Sequence, residues 1–159
     1  MIAYGHGFRD WLDSQLGCNT APDAQFLGRL NDKEEPIAAC AFSNYTGDDI
    51  ELSVAALPGS ATRELIDAIF RYVFIQSGCV RCTVRIREDN YRSLKLARRL
   101  GFRYEGRQRK AKGGKDLYLF GLLKDEYGFL TETTKAGRSD DGHQRAGASE
   151  PNQPDHAIR

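Results

Sequence analysis

The chain has 159 residues, enough for one domain with its own core. Its formal net charge is only +1, so bulk charge points to no partner. No stretch is long and apolar enough to span a membrane, and four cysteines form no dense disulfide framework.

The N-terminus, Met1-Ile2-Ala3-Tyr4-Gly5-His6, has no basic region followed by an apolar run, so no secretory signal is expected and a cytoplasmic location is. Charge is unevenly distributed. Residues 81–115 hold 13 Lys/Arg against 3 Asp/Glu, whereas residues 1–80 hold 5 against 11. The middle of the chain is therefore a basic surface on an otherwise acidic protein, suited to phosphates or acidic partners.

Phe8, Trp11, Leu12 and Leu16 recur at helical spacing between Gly7 and Gly17 and predict a short amphipathic helix. Gln25 to Leu30 reads as a strand, Asn31 to Pro36 as a turn, and Ile37 to Phe42 as a second strand. After a turn over Asn44 to Asp49, a third strand over Ile50 to Ala55 sets Ile50, Leu52 and Val54 against Glu51, Ser53 and Ala55. Leu57-Pro58-Gly59-Ser60 is a tight connection. A long helix over Thr62 to Gln76 carries Leu65, Ile66, Ile69, Phe70 and Val73 on one side and ends at Ser77-Gly78.

Val80 to Arg87 is the fourth strand. A basic helix follows Glu88-Asp89-Asn90, with Asn90 or Asp89 as its cap and Leu94, Ala97 and Leu100 as its apolar face. Gly101 stops it, where a left-handed position favours glycine, and Phe102 returns to the core. Arg103 to Lys110 is a strand, Ala111 to Lys115 a glycine turn, and Leu117 to Leu123 the last strand. Residues 131–159 have almost nothing to bury and read as a disordered polar tail on a domain of residues 1–130. Short turns join the first three strands into an antiparallel meander. The long helix predicts a parallel crossover to the fourth.

The run Asn90-x2-Ser93-x7-Gly101-Phe102-x2-Glu105-Gly106, with Ala68 to Phe74 before it and Asp116 to Leu123 after it, resembles the GNAT superfamily of acyl-CoA-dependent N-acetyltransferases over about residues 20–127. Within that superfamily it is most similar to short proteins of proteobacteria and their phages. The resemblance implies an α/β fold with a mixed, mostly antiparallel central sheet, flanking helices and splayed middle strands. It further implies acetyl-CoA as co-substrate, wedged between the third and fourth strands. Val54 and Ala55 would then offer main-chain groups to the pantetheine, with Asn90 and Ser93 near the pantetheine and pyrophosphate.

Two features depart from the family pattern. The pyrophosphate loop, Gln/Arg-x-x-Gly-x-Gly/Ala in relatives, is here Leu57-Pro58-Gly59-Ser60-Ala61-Thr62-Arg63. Gly59, Ser60, Ala61, Thr62 and Arg63 remain the cofactor-binding candidates, because a helix N-terminus still follows them. The tyrosine that commonly protonates the departing thiolate is replaced by Ala97. Tyr91 and Ser93 on the same helix, Tyr45 and Tyr118 are the substitutes. Glu51 is the leading general base, ahead of Asp49 and Glu88.

Cys79-x2-Cys82 lacks the second ligand pair of a zinc site, so both cysteines read as core thiols and no metal is expected. Arg92, Lys95 and Arg99 share a helix face, continued by Arg103, Arg107, Arg109, Lys110, Lys112 and Lys115. That surface suits CoA phosphates or an acidic protein partner. Nucleic acid is disfavoured, because interleaved aromatics are sparse. Direct acetyl transfer to an amine, on a protein or a small molecule, is the expected function. The alternative is a catalytically degenerate GNAT-like protein that binds acyl-CoA or a host partner protein.

Overall fold

Seven strands form one sheet: β1 (Ile2–Tyr4), β2 (Gln25–Leu30), β3 (Pro36–Ser43), β4 (Asp49–Ala56), β5 (Arg81–Arg87), β6 (Arg103–Lys112) and β7 (Lys115–Leu123). The computed structural model describes residues 1–128, and the tail expected over 131–159 lies outside them. The strand order is β1-β2-β3-β4-β5-β7-β6. Every neighbouring pair is antiparallel except β4 and β5, which run parallel across the predicted helical crossover.

Among the described residues three α-helices flank the sheet: α1 (Arg9–Leu16), α2 (Arg63–Arg71) and α3 (Tyr91–Arg99). Thr62 caps α2, its hydroxyl accepting the Leu65 amide at 3.3 Å. The α2 segment continues as one π-helical turn, Tyr72–Gln76, so the long helix expected over 62–76 is one α-helix with a widened last turn.

Alternation along the strands sends side chains to two cores. On the α2/α3 side, Ile50, Leu52, Cys82, Ile86, Phe120 and Leu122 pack under Leu65, Ile69, Phe70, Leu94 and Ala97. Cys79 and Cys82 are fully buried there as free thiols, and burial raises both above the ordinary cysteine range. On the other side, α1 and the turn that leads into it lay Leu12 and Phe8 against Phe26, Ala39 and Ala41. Gly28 is what admits this helix. A Cβ there would run into the Phe8 ring and stand 2.7 Å from the Ala38 carbonyl oxygen.

Three elements differ from expectation. The short edge strand β1 pairs Ile2–Tyr4 with Leu27–Arg29, a contact that three residues of local pattern do not announce. The last hairpin is longer than expected. Gly113 and Gly114 take φ of 57° and 73°, a two-residue turn that keeps Lys112 opposite Lys115 and extends both strands to the tip. Tyr127, beyond the final strand, is 1% exposed and packs at a tilt against the rings of Phe70 and Phe74, and its burial raises the phenol pKa to about 12.

Replacing Gly28 by Val should cost about 1–3 kcal/mol through overpacking against Phe8 and the Ala38 backbone. The expected readout is a lowered urea midpoint with an unchanged slope. A midpoint equal to that of the wild type would show that α1 does not rest on this close approach.

Candidate functional site

β4 and β5 pair only over their first halves. The register runs Asp49↔Arg81, Ile50↔Cys82, Glu51↔Thr83 and Leu52↔Val84, then stops. Each strand stays paired to its outer neighbour well beyond that point: β4 to β3 as far as Ala56↔Ala38, and β5 to β7 as far as Arg87↔Leu117. The two strands are thus held apart by their outer partners, and a V-shaped cleft opens between Ser53–Ala56 and Arg85–Arg87.

The hydrogen-bond parity of β4 says which groups face the cleft. Leu57 donates its amide to the Ile37 carbonyl at 2.9 Å, so the odd residues of β4 direct their main-chain groups to β3. The N–H and C=O of Val54 and Ala56 therefore point across the cleft, while those of Ala55 belong to the β3 ladder. The side chain of Val54 is 42% exposed, although Ile50 and Leu52 on the same face are buried. The missing neighbour on β5 leaves it open.

Two helix N-termini follow the two strands. Between β4 and α2, Gly59 turns the chain at φ 78°. Ser60 is 4% exposed, its hydroxyl 2.7 Å from the carbonyls of both Ile37 and Leu57, so it locks the turn from inside and does not present its side chain to a ligand. Ala61 and Thr62 are half-buried, and Arg63, the first residue of α2, is exposed. After β5, Asn90 caps α3 as expected, its Oδ1 accepting the Ser93 amide at 3.2 Å.

The α1 side of the cleft carries a row of paired charges. Glu51 accepts from Arg85 Nε at 2.7 Å and Nη2 at 2.9 Å, and from the Asn44 side-chain amide at 2.8 Å. This ion pair crosses from β4 to β5 at the apex of the V. Further along, Arg87 Nε donates to Asp89 at 2.5 Å. At the closed end, Arg81 holds Asp49 and Glu105, and Thr83 donates to Asp49 at 2.6 Å. Gly121 makes room for that network, because a Cβ there would collide with Glu105. The β6–β7 hairpin arches over this side, with Lys112 Nζ 3.2 Å from both the Leu16 carbonyl and Cys18 Sγ.

The sequence candidates are only partly brought together. Glu51, Val54 and Ala55 border the cleft, and Asn90 and Ser93 open the helix after β5. Tyr91 stands elsewhere. It lines a groove of about 470 Å³ with Asp89, Leu94, Arg98, Lys115 and Tyr118, to which β4 contributes no residue. Ala97 is 5% exposed within the core, so the position of the missing tyrosine is filled by packing. Tyr45 lies beside a second groove at the N-terminal end of β4 and donates to the Ser77 carbonyl at 3.3 Å. Arg92, Lys95 and Arg99 are exposed on α3. Sequence reasoning missed Arg85, Arg87 and Asn44. The alternation of Arg81, Arg85 and Arg87 against Cys82, Val84 and Ile86 was the available signal. Among the described residues no cluster of His, Cys, Asp or Glu has the geometry to hold a metal.

No protein-family model matches the sequence, and no curated protein matches it. Solved structures do match in three dimensions. The spermidine/spermine N-acetyltransferase SpeG of Vibrio cholerae superposes with a TM-score of 0.66 at 12% identity, over 84% of this chain and 96% of that one. The ribosomal-protein-S5-alanine acetyltransferase of Vibrio fischeri gives 0.56 at 16% identity, over 65% of this chain and 63% of the other. The N-acetyltransferase PseH of Campylobacter jejuni gives 0.53 at 20%, over 65% and 70%. The chain has the GNAT fold, with its mixed sheet and flanking helices.

The pair between Arg81 and Glu105 generates a pH prediction. The hydrogen bonds from Arg81 hold the Glu105 carboxyl below its ordinary value of 4.5. A depressed carboxyl contributes stability that is complete above 4.5 and is lost as pH falls through the lowered value. Glu105→Gln should therefore be less stable than wild type near neutrality by about 0.5–1 kcal/mol, given the solvent screening of the pair. The two urea midpoints should converge in acid. A gap that persists unchanged down to about pH 2.5 would assign the stabilisation to something other than this charge.

Proposed function

We propose that this chain is an acetyl-CoA-dependent N-acetyltransferase that moves an acetyl group directly to an amine, on a protein or a small molecule. The observation that carries the proposal is the parting of β4 from β5 after Leu52 and Val84. An internal parallel pair that stops halfway exposes main-chain groups of Val54 and Ala56 in the middle of a sheet. Such groups need partners, and an amide-containing pantetheine arm supplies them as an added strand would. The open side chain of Val54 and the α2 N-terminus after Gly59 and Ala61 are in keeping with that occupant.

The co-substrate brings an acyl group activated as a thioester, and the protein supplies orientation and proton transfer. A β4 N–H facing the cleft stabilises the charge that develops on the acyl oxygen. Glu51 acts as base on the amine. A carboxylate has about four acceptor positions, and Arg85 and Asn44 occupy three of them. Ser93, in the first turn of α3, is the better placed donor to the departing thiolate. Tyr91, on the far groove, is the weaker one. Residues 1–130 would form the acyltransferase domain of a cytoplasmic protein, with the polar segment 131–159 as its tail.

The clasped Glu51 and the buried Ala97 favour one second reading: a catalytically degenerate GNAT-like protein that binds acyl-CoA, a host partner protein, or both.

Calorimetry and thiol release separate these readings. Acetyl-CoA should bind with measurable heat, and Val54→Trp, which fills the cleft, should weaken that binding at least about tenfold. Absence of heat with the wild type would remove the cofactor cleft. Glu51→Gln should lower turnover by about 10²–10⁴. Binding heat without thiol release from any acceptor amine would favour the degenerate protein.

A further inference from the structure

The transferase reading leaves the acceptor open, and the charges on the α1 side of the cleft narrow it. Arg85 and Arg87 are the first two residues of their face of β5 beyond the point where β4 departs. Residues two apart on a strand lie about 6.5 Å apart on one face. Each guanidinium is held through its Nε by a carboxylate: Arg85 by Glu51 across the apex, and Arg87 by Asp89 in the turn that follows β5. Their side chains remain 37% and 48% exposed. Among the described residues, Nη1 of Arg85 and both Nη atoms of Arg87 make no other hydrogen bond.

A guanidinium held at one edge presents the other edge as a rigid pair of donors, which suits a planar or tetrahedral oxyanion. The carboxylates along this row each have an arginine partner. Glu51 is paired to Arg85, Asp89 to Arg87, and Asp49 and Glu105 to Arg81. A polycation entering this side would meet three arginines, Arg81, Arg85 and Arg87, beside carboxylates that each already have an arginine partner. Lys112, which donates to the Leu16 carbonyl at the end of α1, is a further positive charge on this side of the sheet.

We propose that Arg85 and Arg87 form an anion-recognition pair, and that the acceptor is an amine bearing a carboxylate or phosphate, not a polyamine. This assignment rests on the transferase reading. It also places the chain apart, in acceptor class, from the spermidine acetyltransferases whose fold it shares.

The test is thiol release from acetyl-CoA by the full chain with paired acceptors. β-Alanine is set against β-alaninamide, O-phosphoethanolamine against ethanolamine, and spermidine is run alongside. At least one anionic acceptor should exceed its uncharged-tail counterpart in kcat/KM by about tenfold or more, with spermidine no better than the counterparts. The pair that shows the larger ratio identifies carboxylate or phosphate as the source. Arg87→Gln should bring that ratio close to one. Spermidine turned over as fast as the anionic amines, ratios of one in the wild type, or a ratio that Arg87→Gln leaves intact would each overturn the assignment. Calorimetry with acetyl-CoA alone keeps the two levels distinct. Heat combined with ratios of one defeats only the acceptor class, whereas no heat defeats the transferase reading and this inference together.

Discussion

The parting of two parallel strands organises everything around it. β4 and β5 begin as hydrogen-bonded neighbours and end as the two walls of a cleft, because each is bound more extensively to its outer partner than to the other. Continuing the pairing would require one strand to leave its antiparallel ladder, and with it several backbone hydrogen bonds. The right-handed twist of the sheet adds to the divergence. An internal sheet edge is thereby exposed where an edge is ordinarily absent, and both following helices begin at its rim.

The ion pair between Glu51 and Arg85 belongs to the same constraint. Register sets Glu51 beside Thr83, so Arg85 has no partner on β4 and leans across the apex. An exposed pair of this kind adds little to stability, but bidentate geometry fixes orientation. It immobilises the one carboxylate that β4 offers to the cleft and aims an arginine along β5. Charge pairing on this face is nearly complete among the described residues, and it leaves directional N–H donors in place of net charge. That outcome differs from the basic surface of α3, where Arg92, Lys95 and Arg99 stand in solvent.

Close approach is the other device. Gly28 lets α1 sit on β2, and Gly121 lets Arg81 reach Glu105 over β7. Asp116 works similarly in the last hairpin. It is 5% exposed, accepts from the Lys110 amide at 2.8 Å and from Arg107, and these bonds hold its carboxyl below the usual carboxylate range. The hairpin so pinned carries Lys112 over to the end of α1.

Local chemistry was legible in the sequence. The alternation over 50–55, the asparagine cap before α3, the glycine stop at 101 and the apolar faces of α2 and α3 are short-range patterns, and they predicted their elements because each depends on neighbours a few residues away. The GNAT resemblance then supplied the mixed sheet with splayed middle strands, and the structure added the order, with β7 between β5 and β6. What tertiary structure alone decided is every relation that joins distant segments. Glu51 meets Arg85 across 34 positions, Ser60 turns inward to Ile37, Tyr91 falls on a groove away from β4, and β1 finds an edge through three residues. These outcomes depend on strand register and on which face of a helix the core claims. Both are set by packing the whole chain at once and are written in no local stretch of it.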